Sequence, residues 1–486
     1  MGVPCFFIAQ ICLHPVRICA IMVSIVTKGV TAMNPTATSD KTLIFEKMPV
    51  PAALAKMAIP TIVSQLITLI YNIADTWFIG QTNNPYMVAA SSLVLTIFLM
   101  TTALANIFGV GGGTLAVRLL GSSQEEEARK VASLSLVMAA GVAVTFSVLC
   151  LIFMEPLLLL LGASANTLGY AKQYLTFVVV LGALPTILSA VMSSMLRNMG
   201  FSKEAAFGLG MGGLLNVALD PLMMFVIMPD GYEVMGAAIA TMLSNCVALI
   251  YFICTYHRVK DSSILAIPRR IERIQKSSMQ SLLGVGVPAG MSILLYDVAS
   301  MFLNRLAASY GDFQLAAMGI VMKVERLPLN VGVGICLGMV PLVAYNYAAK
   351  NHKRMRAFFS AARIAGLCVA ATCVVFYYLA APGLIRLFIQ EPNTAGYGIQ
   401  FLRSRCFATP VMFLSFHMVH FMQAVGRGKI SFYLAVIRQI VLNIPILLLM
   451  NLLFGIDGIV WTQMTADIFN VLISYIIYFR VLKQIT

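Results

Sequence analysis

Two aspartates, Asp75 and Asp220, sit deep inside long apolar runs of this sequence. Tyr71, Asn72, Asn216 and Thr241 lie within a helical turn of them or in a neighbouring run. A carboxylate in hydrocarbon is costly, and one that persists there marks a functional site by default. Read as helices that cross in alternating directions, the runs bring these residues to comparable depth. Asp75 lies five residues before Gly80, where its run ends, about 7 Å at 1.5 Å per residue. Asp220 lies nine residues before Pro229, about 13 Å by the same rise, and Thr241 enters from the same face to a similar depth. Tyr71 and Asn72 precede Asp75 by four and three residues and share its helical face. Asn216 is one turn from Asp220. Polar groups from three helices therefore converge. Two carboxylates in a low dielectric cannot cheaply both stay charged, so at least one is expected to hold a proton or a cation. The bland alternative is that Asp75 caps a helix end and Asp220 merely precedes Pro221 at a kink.

The elements that carry these residues are membrane spans. Of the 486 residues 60% are hydrophobic and only 11% charged, and the mean hydropathy is +0.89, which argues against a water-soluble globule. Twelve spans are expected: 54–80, 87–113, 131–154, 168–192, 205–228 and 234–256, then 281–306, 314–340, 357–380, 395–424, 430–454 and 458–479. They divide the chain into a leader (1–52), a first lobe (53–257), a linker (258–280) and a second lobe (281–486). Residues 1–32 are broken by His14, Pro15 and Arg17 and lack a cleavable signal pattern. Met33 is the expected start of translation, a degenerate signal or extra anchor being the alternative.

The net charge of +14 does not indicate nucleic acid, because the basic residues sit in short loops between apolar runs and no nucleic-acid-reading motif accompanies them. Arg118, Arg129, Lys130, Arg197, Lys203, the linker, Lys350, Lys353, Arg354, Arg356, Arg427, Lys429, Arg480 and Lys483 all fall on one side, while loops 81–86, 229–234 and 455–458 carry no Lys or Arg. Both termini are thus expected in the cytoplasm, with the chain in the cell membrane. The ten cysteines show no CxxC, and those within apolar runs read as small hydrophobes.

The halves repeat each other. Ala58-Ile-Pro60 matches Gly286-Val-Pro288, the glycine-rich run 109–113 meets 332–338, Gly200 meets Gly426, and Leu215-Asn216 meets Leu442-Asn443. The separation stays near 227 residues, which chance matches would not maintain. Six spans per half make the repeat parallel, with a path between the lobes.

Pro60, the stretch Tyr71-Asn-Ile-Ala-Asp75-Thr-Trp-Phe-Ile-Gly80, the run 109–113 with Arg118-Leu-Leu-Gly121, Arg197-Asn-Met-Gly200 and Asn216-Val-Ala-Leu-Asp220-Pro221 resemble the multidrug and toxin extrusion (MATE) family. The short first loop and Ile437-Arg438-Gln439 resemble its bacterial MepA-like branch. The likeness runs from about Ala53 to the end. It implies an all-α integral membrane protein with twelve helices in two six-helix lobes related by a parallel pseudo-twofold repeat. It also implies export of organic cations and other drugs, driven by inward H⁺ or Na⁺, with Asp75, Asn216, Asp220 and Thr241 in the coupling site. No cofactor beyond that ion is expected, and the chain is expected to act as a monomer in the lipid bilayer. The runner-up is a lipid or oligosaccharide flippase of the same superfamily, which would want a cavity dominated by Arg and Lys. A receptor without a transport cycle leaves paired buried carboxylates unexplained, and an enzyme lacks a nucleophile–base set.

Other residues invite a role. Pro60 lacks an N–H and eases bending of the first span. In the second lobe, Asp297, Lys323, Glu325, Arg326 and Asp467 lie near mid-membrane and read equally as an internal salt-bridge network or as an ion or substrate site. Some MATE proteins carry a coupling carboxylate on span seven, but Asp297 is near that position and not aligned with it. His417 and His420 share a face, as a metal site lacking further ligands or as cavity lining. Arg438 is placed to snorkel or to pair with a carboxylate. Thirty Met with many Phe and Tyr suit a deformable cavity, although any membrane bundle is rich in both.

Overall fold

The structure, a computed structural model, describes residues 39–260, 263–265 and 275–485. The leader to Met33 and the linker's Arg269, Arg270 and Arg273 lie outside the described residues. A short helix, Ser39–Glu46, precedes α1 (Val50–Gly80), α2 (Pro85–Gly121) and α3 (Glu125–Ile152). After the short helix Met154–Leu160, α4 runs as Ala165–Leu175, a π segment Thr176–Leu181, and Ala183–Asn198. Then come α5 (Ser202–Leu222, continued as the π segment Met223–Ile227) and α6 (Glu233–Val259). The second half holds α7 (Lys276–Ala308), α8 (Asp312–Ala348), α9 (His352–Arg386) and α10, which is Pro392–Arg405, a 3₁₀ turn Cys406–Ala408, and Thr409–Ala424. α11 begins with Gly428–Val436 and the π segment Ile437–Asn443, and continues to Gly455. The backbone of Gly455 (φ 60°, ψ −136°) is non-helical, and α12 follows it to Ile485.

Local chemistry sets the helix starts. Asn84 accepts from Tyr86 N with Pro85 in the first turn, Ser164 and Thr167 form a capping box, Asn351 accepts from Arg354 N, and Glu391 accepts from Asn393 N and Thr394 N. Each satisfies amide donors that the first turn leaves free. Nine described helices are long and apolar enough to cross a membrane, and the two arms of α4, bent by 45°, make a tenth. One of the nine, Gly428–Gln484, has 57 residues, about 85 Å of helix against a core of about 30 Å, so the break at Gly455 divides it in two. The remaining expected span, 395–424, is α10, interrupted by its 3₁₀ turn. The chain is therefore a multi-pass, all-helical membrane protein, with breaks in spans that the sequence reading drew as continuous.

The two halves meet chiefly through four helices. A Cβ added to Gly111 on α2 would lie 2.8 Å from the Gly286 Cα on α7. A Cβ on Gly338 of α8 would lie 2.7 Å from the Ala58 Cα on α1. Gly111 and Gly338 are repeat equivalents, and so are Gly286 and Ala58, so one contact is the image of the other. Such reciprocity is the signature of a two-fold relation. Gly121 and Ala348, also equivalents, face each other directly, with 3.1 Å between a Cβ at 121 and that of 348; the pseudo-axis passes between them. In membranes small residues let backbones approach closely, since apolar burial alone gives helices no reason to associate.

All these contacts lie toward one face, where α1 begins and α2 ends. Lys323 is exposed; eleven residues, about three turns, separate it from Gly334, whose added Cβ would sit 2.8 Å from the Ile62 Cα. Lys323 thus lies near the α1-facing side of α8. The close approaches between the halves described here thus lie toward the basic face, with Lys323 exposed farther along α8.

Candidate functional site

Asp220 on α5 is fully buried. Its Oδ1 accepts from Asn216 Nδ2 at 3.2 Å, and the same amide donates to Thr241 Oγ1 of α6 at 3.2 Å. On α1, Asp75 Oδ2 accepts from the hydroxyl of Tyr174 on α4 at 3.5 Å, and the two aspartates are close enough to act on each other electrostatically. Tyr71 lies beside Asp75. Four helices thus supply the cluster, and Asp75, Asp220, Asn216, Thr241 and Tyr71 come together. Asn72 differs: its side chain is exposed and its amide donates to the Thr68 carbonyl at 2.8 Å.

Tyr174 was missed by sequence reasoning, yet a signal existed. It lies nine residues into α4 from the far face, about 13 Å deep, which is the depth counted for Asp220. The backbone also adapts here. Pro221 sits inside α5, where it removes a helical hydrogen bond, and the helix continues as the π segment that starts at Met223. A second π segment begins two residues after Tyr174. Such segments recur at functional sites.

The cluster is rich in unmet acceptors. Asp75 Oδ1, Asp220 Oδ2 and Asn216 Oδ1 are buried with no hydrogen-bond partner. An ionised buried carboxylate left unpaired costs several kcal/mol. An all-oxygen set of two carboxylates, an amide and a hydroxyl suits a proton or a small hard cation.

The second half handles its charges differently. Asp467 on α12 accepts from Arg438 Nε and, at 3.0 Å, from Arg438 Nη2. Ser415 donates to it at 3.2 Å and Gln463 at 2.7 Å, while Asn443 donates to Gln463 at 3.0 Å. Arg438 and Asn443 lie in the third π segment. Glu325 on α8 takes a two-pronged pair from Arg405, at 2.8 and 2.9 Å. Arg405 is a residue the sequence reading did not consider. Glu325 also lines a cavity between α8, α9 and α10, walled by Phe413, Phe416, Met412 and Leu329. In place of one network among the expected residues, Glu325 and Asp467 each pair with an arginine outside that set, Arg405 and Arg438, and Lys323 and Arg326 stand exposed. The side chain of Asp297 lies outside the described residues. His417 is buried between Phe359 and Phe413, with Nε2 3.1 Å from the Phe359 carbonyl, and His420 Nδ1 lies 2.8 Å from the Phe416 carbonyl. Among the described residues no group of three His, Cys, Asp or Glu side chains could hold a metal ion. Pro60 lies between Ala58 and Ile62, the α1 positions packed on Gly338 and Gly334.

A family model described as MatE matches the chain twice, over residues 60–222 and 288–449, which reproduces the internal repeat. A multidrug export protein MepA of Staphylococcus saprophyticus is 30% identical over 444 residues, covering 91% of this chain and 96% of that protein. MepA of Staphylococcus aureus is 28% identical over the same length and shares of each chain. Among solved structures, an outward-facing multidrug resistance MATE family transporter of the MOP superfamily superposes with a TM-score of 0.86 at 22% identity, over 92% of this chain and 98% of that one. A MATE protein in its straight conformation gives 0.84 at 24%, over 91% and 99%. At these identities the superpositions speak for the fold.

Proposed function

The chain belongs to the MatE family, and from that premise we propose that it is a secondary multidrug exporter, moving organic cations and other drugs outward in exchange for H⁺ or Na⁺. The observation that carries this reading is the trio of unpartnered buried oxygens on Asp75, Asp220 and Asn216. Glu325 and Asp467 in the second half already have cations, which supports the first-half cluster as the group whose charge state is open to change.

The basic face is cytoplasmic on this reading, with both termini there, lobes at 53–257 and 281–486, the linker 258–280 between them, and one chain as the working unit. Drug enters a cleft between the lobes from the cytoplasm or inner leaflet when the halves part at that face. With the halves closed there, the cleft faces out. An ion arriving from outside settles on Asp75 and Asp220, α1 reshapes around Pro60, and the drug leaves. Only an ion whose affinity differs between drug-bound and drug-free protein can drive this exchange. Uptake of a fluorescent organic cation by inverted vesicles, under an imposed ΔpH or Na⁺ gradient, tests the proposal; no gradient-dependent movement of any cation contradicts it.

A second reading, a flippase for lipid- or sugar-linked phosphate, draws on one observation: Lys323 and Arg326 are exposed, while Glu325 between them pairs with Arg405. Gradient-independent movement of an anionic lipid between leaflets, without drug efflux, would favour it.

A further inference from the structure

Residues 44–48 form a strap between the two halves at the basic face. Only Pro49 separates them from α1, yet their hydrogen bonds run to the other half. Arg354, at the start of α9, donates from Nε to the Phe45 carbonyl at 2.7 Å and from Nη2 to the Met48 carbonyl at 2.5 Å. Asn346 Nδ2 donates to the Phe45 carbonyl at 3.1 Å, and the Tyr345 hydroxyl to Glu46 Oε1 at 2.6 Å. The Phe45 ring stacks on Tyr345, centroids 4.8 Å apart and planes 20° from parallel. These partners cap the carbonyls that the helix Ser39–Glu46 and the turn after it leave free. On the other side Ile44 and Phe45 abut Gly200 in the α4–α5 turn, their side chains 3.8 Å from where its Cβ would be. Ile44 and Phe45 are buried, at 2% and 5% exposure, in the seam between first-half turn and second-half helix.

We propose that this strap is a latch that holds the halves closed at the basic face. The reason is covalent: the strap is joined to α1 but bonded to α8 and α9. The Ala58–Gly338 contact lies only two turns along α1. If the halves part at this face, either the Arg354, Asn346 and Tyr345 bonds break or α1 is pulled with the second half. The latch therefore biases the protein toward the form closed at the basic face. It rests on the transport reading only for its consequence in the cycle, and its geometry is testable without transport.

The test places spin labels at two exposed positions on this face, Lys203→Cys in the first turn of α5 and Lys429→Cys in the first turn of α11, in full-length protein whose native cysteines are replaced. Pulsed electron–electron resonance in nanodiscs then reads their separation. Arg354→Ala is expected to raise the ratio of long to short separations about tenfold, equivalent to about 1.4 kcal/mol. Asn346→Ala should act in the same direction and less strongly. Arg354→Lys, which keeps the charge but not the planar fork, should fall between wild type and Arg354→Ala. A disulfide between Phe45→Cys and Tyr345→Cys, added to Arg354→Ala, should return the distribution to short separations until reduced. An unchanged distribution in folded Arg354→Ala overturns the latch, and so does a cross-linked protein that transports at the wild-type rate. If wild type shows no gradient-driven efflux while Arg354→Ala still shifts the separations, the transport reading fails and the latch stands.

Discussion

Arg438 and Asp467 hold one another through two hydrogen bonds, and Ser415 and Gln463 fill the rest of that carboxylate. At the equivalent place in the first half, Asn216 replaces Asn443 and the carboxylate is Asp220, which has the Asn216 amide on one oxygen and nothing on the other. One backbone repeat thus carries a neutralised polar centre in one half and an unfilled one in the other. A saturated ion pair leaves no oxygen open, whereas an unsaturated carboxylate pair offers a place for a ligand.

Breaking the saturated centre should therefore damage stability and leave coupling alone. Removing one partner of a buried pair costs about 3–5 kcal/mol. Arg438→Ala should lower the unfolding temperature in detergent sharply, and Arg438→Met with Asp467→Leu should recover much of the loss. In protein that remains folded, the pH dependence of drug binding should match wild type. A changed pH dependence would assign coupling to Asp467.

Tyr174→Phe removes the only hydroxyl donated to Asp75 among the described contacts and preserves ring volume. A hydrogen bond to a charged group contributes about 1.5–3 kcal/mol, and the long 3.5 Å separation places this one at or below the low end. Gradient-driven efflux should fall about fivefold, while drug binding at fixed pH changes little. Loss of binding without loss of coupling would make Tyr174 a cavity residue.

Pro60→Ala restores a backbone donor between the α1 positions packed on Gly334 and Gly338. Insertion and fold should survive, and turnover should slow if α1 bends during the cycle. Normal efflux at normal expression would leave Pro60 as a packing residue. Pro288→Ala should matter less, because Leu303 and Asn304 stand where Asp75 maps in the second half.

Lys323→Ala should strengthen binding of a monovalent organic cation about two- to threefold, the small effect expected for removing a like charge across water, and more so at low salt. Weaker binding of the cation would place Lys323 in a role other than repulsion.

The coupling cluster was legible because depth in a membrane helix is countable. Asp75, Asp220, Asn216 and Thr241 could be placed from their distance to a loop. Tyr174 obeyed the same count and was passed over because a tyrosine costs little in an apolar run and draws no attention. Asn72 shared a face with Asp75 by spacing, but its amide found the Thr68 carbonyl four residues back, a local bond that spacing does not reveal. The repeat was legible in Pro60 and Pro288, and it foretold two halves. Which glycines touch across the axis was not, since Gly111 meets Gly286 only when both halves are assembled. Arg405 and the strap were invisible for a like reason. The partner of Arg405 is 80 residues away, and those of Glu46 and Phe45 lie about 300 residues on.

The central claim is that Asp75 and Asp220 bind the driving ion, and equilibrium binding of a fluorescent organic cation to detergent-purified protein across pH, with and without Na⁺, tests it most directly. Protons and cationic drug compete for the protein if the carboxylates couple them. Affinity in wild type should then be high where the pair is ionised, fall as pH drops and the pair takes up protons, and respond to Na⁺ if Na⁺ occupies the same oxygens. Asp75→Asn with Asp220→Asn removes the titrating groups at nearly constant volume, so the curve should become flat in both pH and Na⁺ while some binding remains. A double variant that keeps the wild-type pH dependence, the Na⁺ response and full gradient-driven efflux would contradict the account and place coupling at another carboxylate.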